Sequence, residues 1–90
     1  MSVLVQFRVN VEDVDRFKRT SDAFVSVMEG LGGRNVHVYV AESEPHEVCT
    51  LSEWDSHDAM MAATDQFGDD FNREAGTEGL EWETRIWHAL

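Results

Sequence analysis

Val3-Leu-Val-Gln-Phe-Arg-Val9 and Asn35-Val-His-Val-Tyr-Val40 decide how this chain folds. In both stretches every second residue is Val or Phe, the spacing of a β-strand that lays one face on an apolar layer. The residues between them, Gln6, Arg8, His37 and Tyr39, then share the opposite face of a sheet. A second face that mixes polar and aromatic groups calls for water, a partner subunit or a ligand.

The first strand, about residues 2–9, leads to Asn10, read as a helix N-cap with Asp13 three residues later as a weak capping-box partner. Val14, Phe17, Ser21, Phe24, Val25, Met28 and Leu31 then fall within roughly 120° of arc, which predicts an amphipathic helix. Gly30, Gly32 and Gly33 end it. The second strand is expected from about Asn35 to Ser43. Glu44-Pro45-His46 turns the chain, because Pro cannot donate to a ladder, and Glu47 to Trp54 returns as an antiparallel partner. Asp55 or Ser56 caps a second helix with Ala59, Met60, Ala63, Phe67 and Phe71 on its apolar face and a kink or break at Gly68. Gly76 and Gly79 bracket a loop, and Glu81 to Leu90, rich in Trp, Thr and Ile, is the last strand.

The order β-α-β-β-α-β is the split-βαβ, ferredoxin-like arrangement of the α+β class. It predicts a four-stranded antiparallel sheet with both helices on one face. Residues 1–90 make one domain, without repeat or linker.

Composition narrows the partners. A 42% hydrophobic content excludes disorder. A domain this small buries only about 60–65% of its unfolded surface, so covering a bare sheet face in a homodimer is the expected gain. Eighteen acids against seven bases, with Lys18 the one lysine, give a net charge of −11. Nucleic acid and anionic membrane surfaces would repel such a chain. Cys49 is alone, so no internal disulfide forms and a reducing compartment is expected. No run approaches the ~20 apolar residues of a membrane span, and no apolar run follows a basic N-terminal region. The expectation is a cytoplasmic, soluble protein.

The element order, the length and the stretch Ser52-Glu-Trp-Asp-Ser-His-Asp-Ala59 resemble the antibiotic biosynthesis monooxygenase-like family of the dimeric α+β barrel superfamily. In that family a strand ends in an aromatic, commonly Trp, and a helix opens after a small or acidic cap. Phe67 and Phe71 look like its apolar positions late in that helix. The resemblance implies that two sheets face each other across a homodimer and enclose a barrel, into which Gln6, Arg8, His37 and Tyr39 would point. It implies cofactor-independent oxygenation of a small aromatic, polyketide-like or quinol-like compound, or an isomerase or cyclase reaction. A non-catalytic binding or assembly protein of the same fold is the other class. Haem-degrading members carry an Asn in the first strand, a Trp inside the second helix and a late axial His. Here Phe7, Met60-Met-Ala-Ala63 and Asn72-Arg73 stand at those places, so haem degradation of that kind is not expected. Many oxygenase-like relatives also carry a His near the middle of the second helix, where this chain has Ala62 or Ala63.

The catalytic candidates are His37, Tyr39 and Arg8. His37 and Tyr39, two apart on a strand, share a face about 6.5–7 Å apart. His37 would serve as the base that deprotonates a phenolic or enolic substrate, with Tyr39 orienting its oxygen. The alternative is a His and a Tyr satisfied by a partner chain. Arg8 would anchor an oxyanion with its planar fork, or simply pair with Glu53 or Glu83. Gln6, Trp54 and Trp87 are the substrate-binding candidates: Gln6 through water, Trp54 as pocket wall or packing, Trp87 as pocket wall or dimer contact. Asn10 is better explained as the cap. The last strand has two registers. Either Trp82 and Ile86 face the helices with Arg85 and Trp87 in the barrel, or Thr84 and His88 lie inside.

No metal or cofactor is expected. His46, His57 and His88 show no recognised ligand spacing. Gly30-Leu-Gly-Gly33 follows a helix and precedes a strand, the reverse of a phosphate loop. Cys49 has no His or basic neighbour in sequence and reads as an inert thiol.

Overall fold

Val3, Val5 and Val9 are buried while Leu4, Arg8 and Asn10 are exposed, so the alternation in the first strand separates a core face from an open one. The same parity sorts the whole sheet. In the computed structural model, which describes residues 2–90, the elements are β1 (Val3–Asn10), α1 (Val14–Gly30), β2 (Arg34–Val40), β3 (Glu47–Trp54), α2 (His57–Ala75) and β4 (Glu83–His88). The sheet order is β2-β3-β1-β4, and all three pairings are antiparallel. The fold is ferredoxin-like, with α1 and α2 closing the core over Val5, Val9, Val48 and Trp54.

Phe71 is the centre of the helix–helix seam, 5.8 Å from Phe17 and 5.4 Å from Phe24, ring to ring and edge-on in both cases. Such edge-to-face pairs add about 0.5–1.5 kcal/mol each beyond the area they bury. Gly33 admits the Trp54 indole to this layer: a Cβ there would lie 3.0 Å from both Trp54 Cη2 and the Met28 carbonyl oxygen.

Several boundaries differ from expectation for physical reasons. Asn10 is not a helix cap. It stays in the ladder opposite Glu47, and the Val11 N–H donates to the His46 carbonyl at 2.9 Å. The helix therefore starts later, with Asp13 as N-cap accepting from the Arg16 N–H at 3.0 Å. At α2 the cap is Ser56, whose Oγ accepts from the Ala59 N–H at 3.0 Å. Gly68 does not break that helix, which continues to Ala75.

β2 ends at Val40 instead of Ser43. The chain turns once Ala41 N–H reaches the Glu47 carbonyl at 2.9 Å. Near its start the β2–β3 register shifts, and Asn35 takes a φ of 51°, a left-handed conformation Asn tolerates. β4 begins only at Glu83, because Trp82 leaves the ladder to pack 6.0 Å from Phe7 and 6.1 Å from Phe17.

Candidate functional site

Strand pairing fixes what meets on the open face. One row across the sheet reads His37, Leu51, Gln6, Arg85, and the next reads Tyr39, Cys49, Arg8, Glu83. Leu4 opposes Trp87, so β4 adopts the register with Trp82 and Ile86 toward the helices and Arg85 and Trp87 on the open side. The Arg85 guanidinium sits 5.9 Å from the Trp87 ring centroid, within cation–π range.

His37 and Tyr39 share this face with ring centroids 6.3 Å apart, and both are exposed. Gln6, half-buried, lies beside Leu51, one strand in from His37. Arg8 is held from both sides. Its Nε lies 3.2 Å from Glu47 Oε2, and its Nη2 pairs with Glu83 Oε2. Of the two expected carboxylates Glu83 does bind it, whereas Glu53 accepts from Asn35 Nδ2. With two carboxylates on its guanidinium, Arg8 has little unpaired charge for a substrate oxyanion.

Burial pushes the Cys49 thiol above its ordinary value, against the opposing pull of Arg8 across the strand and with a further push from Glu47. A raised thiol stays protonated at neutral pH, which fits the inert reading.

Trp54 does not join this group. On β3 the open-face positions are odd-numbered, so Trp54 points into the helix–sheet layer, where it is 1% exposed and donates its indole N–H to Ser52 Oγ at 2.9 Å. It is core packing, not a wall beside His37.

A part-enclosed cavity of about 260 Å³ lies on the other side of the sheet, between strands and helices. Phe7, Val36 and Val38 form its floor, and Trp82 closes one end. Met28, Phe67 and Phe71 come down from the helices. An apolar cavity of about 150 Å³ is enough to hold benzene, so this one has room for roughly two fused rings. Its polar groups are few. Ser21 is 4% exposed, and its Oγ has no hydrogen-bond partner in the protein. Asn72, also in the lining, accepts from Thr77 Oγ1 at 2.7 Å through Oδ1. Thr50 and Thr64 complete the set. None of the lining side chains ionises.

Ser21, Asn72 and Trp82 were not singled out as site residues from sequence. The available signal was a serine inside the apolar arc of α1, together with a glycine at 68 inside α2. Among the described residues no group of three or more His, Cys, Asp or Glu is arranged to hold a metal ion. No helix is long and apolar enough to cross a membrane.

The site is thus an apolar, sparsely polar cavity under the helices of a ferredoxin-like layer, on the side of the sheet away from His37 and Tyr39. The chain belongs to the antibiotic biosynthesis monooxygenase family, whose model matches residues 1–69. In structure it is similar to a protein from Bordetella bronchiseptica assigned to the antibiotic biosynthesis monooxygenases, with 12% identity, a TM-score of 0.82, and 99% of this chain and 97% of that one covered. It is also similar to SnoaB, a cofactor-independent oxygenase from Streptomyces nogalater, with 18% identity, a TM-score of 0.77, and 99% and 93% of the two chains covered. The de novo designed protein Foldit4 shares the fold as well, at 15% identity and a TM-score of 0.72 over 100% of both chains. Likeness at such identity therefore speaks for fold alone. No curated protein matches the chain.

Proposed function

We propose that the protein is a cofactor-independent monooxygenase of this family, acting on a small, flat aromatic compound bound in the cavity between sheet and helices. The single observation that carries the reading is that cavity: apolar, large enough for fused rings, and without an ionisable lining group in a family of monooxygenases. SnoaB, described as a cofactor-independent oxygenase, supports the choice of reaction class.

The chemistry follows from what the cavity offers. A substrate methylene conjugated through aromatic rings to a carbonyl loses a proton and becomes a carbanion that hands electrons to O₂. One oxygen atom ends as a new carbonyl on that carbon and the other leaves as water, with both hydrogens of the carbon. The protein contributes a dry enclosure and a few hydrogen bonds. With no base in the cavity, the substrate must be acidic enough to ionise to solvent or enter as its enolate.

A second reading places the chemistry on the open face, enclosed by a second copy of the chain, with His37 as base, Tyr39 and Arg8 as donors, and Gln6 and Trp87 against the substrate. The 6.3 Å approach of His37 and Tyr39 favours it, and the two carboxylates already on Arg8 count against it. In either reading the open face is where a homodimer forms. Leu4, Tyr39 and Trp87 are exposed there beside Leu51, an apolar stripe that a second copy would cover.

Oxygen uptake separates these readings. With a panel of anthrones, wild-type protein is expected to consume O₂, and His37→Ala to match it. Loss of uptake in His37→Ala would move the chemistry to the open face. No uptake with any member would reject the monooxygenase assignment.

A further inference from the structure

We infer that Ser21 and Gly68 determine which ligand the cavity accepts: a fused-ring compound that presents one hydrogen-bonding oxygen to Ser21, with Gly68 leaving the space for its ring. This rests on the proposed cavity reading and adds the residues that select the ligand: Ser21 favours an oxygen-bearing ring compound over a hydrocarbon of the same size, and Gly68 sets the ring that fits.

Each residue is otherwise a cost to the fold. Ser21 lies mid-helix, 4% exposed, and its Oγ is the one buried side-chain polar atom without a partner among the described residues. A buried hydroxyl without a hydrogen bond is destabilising, and alanine is the better helix former at such a position. Gly68 is inside the nineteen-residue α2, where glycine weakens a helix relative to alanine. Nothing in the protein requires it. Its φ is not in the left-handed range, and a Cβ there would meet only Thr64 Cγ2, at an ordinary 3.6 Å.

The two face the same space. Phe71 packs against both Phe17 and Phe24, the aromatics that bracket Ser21 along α1. This sets the Gly68-to-Phe71 turn of α2 opposite Ser21, and both Ser21 and Gly68 line the cavity. A polar group without a partner and a missing side chain on facing walls are what a ligand with one oxygen would complete. Ser21 can donate to a carbonyl or enolate oxygen and accept from a phenol.

Titration with 2-naphthol and naphthalene, equal in ring size and different in one hydroxyl, tests this by calorimetry. Wild type is expected to bind 2-naphthol about tenfold more tightly, the worth of one hydrogen bond. Ser21→Ala is expected to bind both probes with naphthalene's affinity, while its thermal midpoint stays the same or rises. Gly68→Leu is expected to bind neither with its circular dichroism unchanged, and Gly68→Ala to melt higher but bind both more weakly. Equal affinity of wild type for the two probes, a preference that survives Ser21→Ala, or a lowered midpoint in that variant overturns the role of Ser21 and leaves the cavity reading standing. Unweakened binding in both Gly68 variants overturns the role of Gly68. Failure of wild type to bind either probe overturns the cavity reading and this inference with it.

Discussion

Trp54 donates its indole N–H to Ser52 Oγ at 2.9 Å, two residues back along the same strand, and both side chains are buried beneath the helices. The largest aromatic in the core is thereby fixed by a polar contact within β3. Trp54→Phe removes the donor, strands a buried hydroxyl and is expected to cost about 1–3 kcal/mol. Trp54→Ala opens a cavity and is expected to cost about 3–5 kcal/mol. Urea unfolding checks both values, and an undiminished midpoint in Trp54→Ala would return Trp54 to the ligand-facing residues.

Arg16 and Gly76 form a second fixed point. Arg16 Nε donates to the Glu74 carbonyl at 2.7 Å and Nη2 to the Arg73 carbonyl at 3.1 Å, so α1 caps the C-terminus of α2. Gly76 has a φ of 73°, and a Cβ there would lie 2.8 Å from Arg16 Nη1. Gly76→Ala is expected to cost about 1–3 kcal/mol, from backbone strain and a disturbed cap together. A thermal midpoint equal to wild type would show that Arg16 moves away without loss.

Most of the fold could be read from residues, because alternation in the strands and the apolar arc of α1 report burial directly. The boundaries that escaped were set by tertiary contacts. Asn10 looks like a cap until His46 claims the next backbone N–H, and Trp82 looks like strand until the Phe17 and Phe71 rings take it. The site was legible only in part. Parity placed His37, Tyr39, Arg8 and Gln6 on one face and left the register of Trp87 open, yet it could not locate empty space. A cavity is a shortfall of side-chain volume between elements, and only Ser21 and Gly68, each locally unfavourable, mark it along the chain. Trp54 was ambiguous for a related reason, since a strand-end aromatic serves either face until its parity is fixed by pairing.

The open face should behave as an interface. Leu51→Glu and Trp87→Glu each put a carboxylate into the apolar stripe, beside Gln6 and Leu4 respectively. Sedimentation velocity is expected to show a dimer for wild type and a monomer for both variants. A monomeric wild type at high protein concentration would contradict the homodimer. Arg8→Ala, by contrast, removes ion pairs that are partly exposed and is expected to change stability by no more than about 1 kcal/mol.

Cys49 gives a pH-dependent prediction. Because burial raises its pKa, the folded protein holds the thiol proton at pH values where the unfolded chain has lost it. The stability this contributes is full below the unfolded pKa and is lost as pH rises through the folded one. Alkylation by iodoacetamide should therefore be slower at pH 8 than for a free cysteine, with its inflection displaced to higher pH. Faster alkylation than the free thiol would show that Arg8 outweighs burial.

Which side of the sheet takes the ligand is decided most directly by methyl resonances during titration with 2-naphthol. Met28, Val36 and Val38 line the cavity, whereas Leu4 and Leu51 lie on the opposite face. Ligand seated between sheet and helices shifts Met28, Val36 and Val38 in proportion to occupancy and leaves Leu4 and Leu51 still. Shifts at Leu4 and Leu51 with Met28 unmoved would contradict it, and would put the chemistry beside His37 and Tyr39.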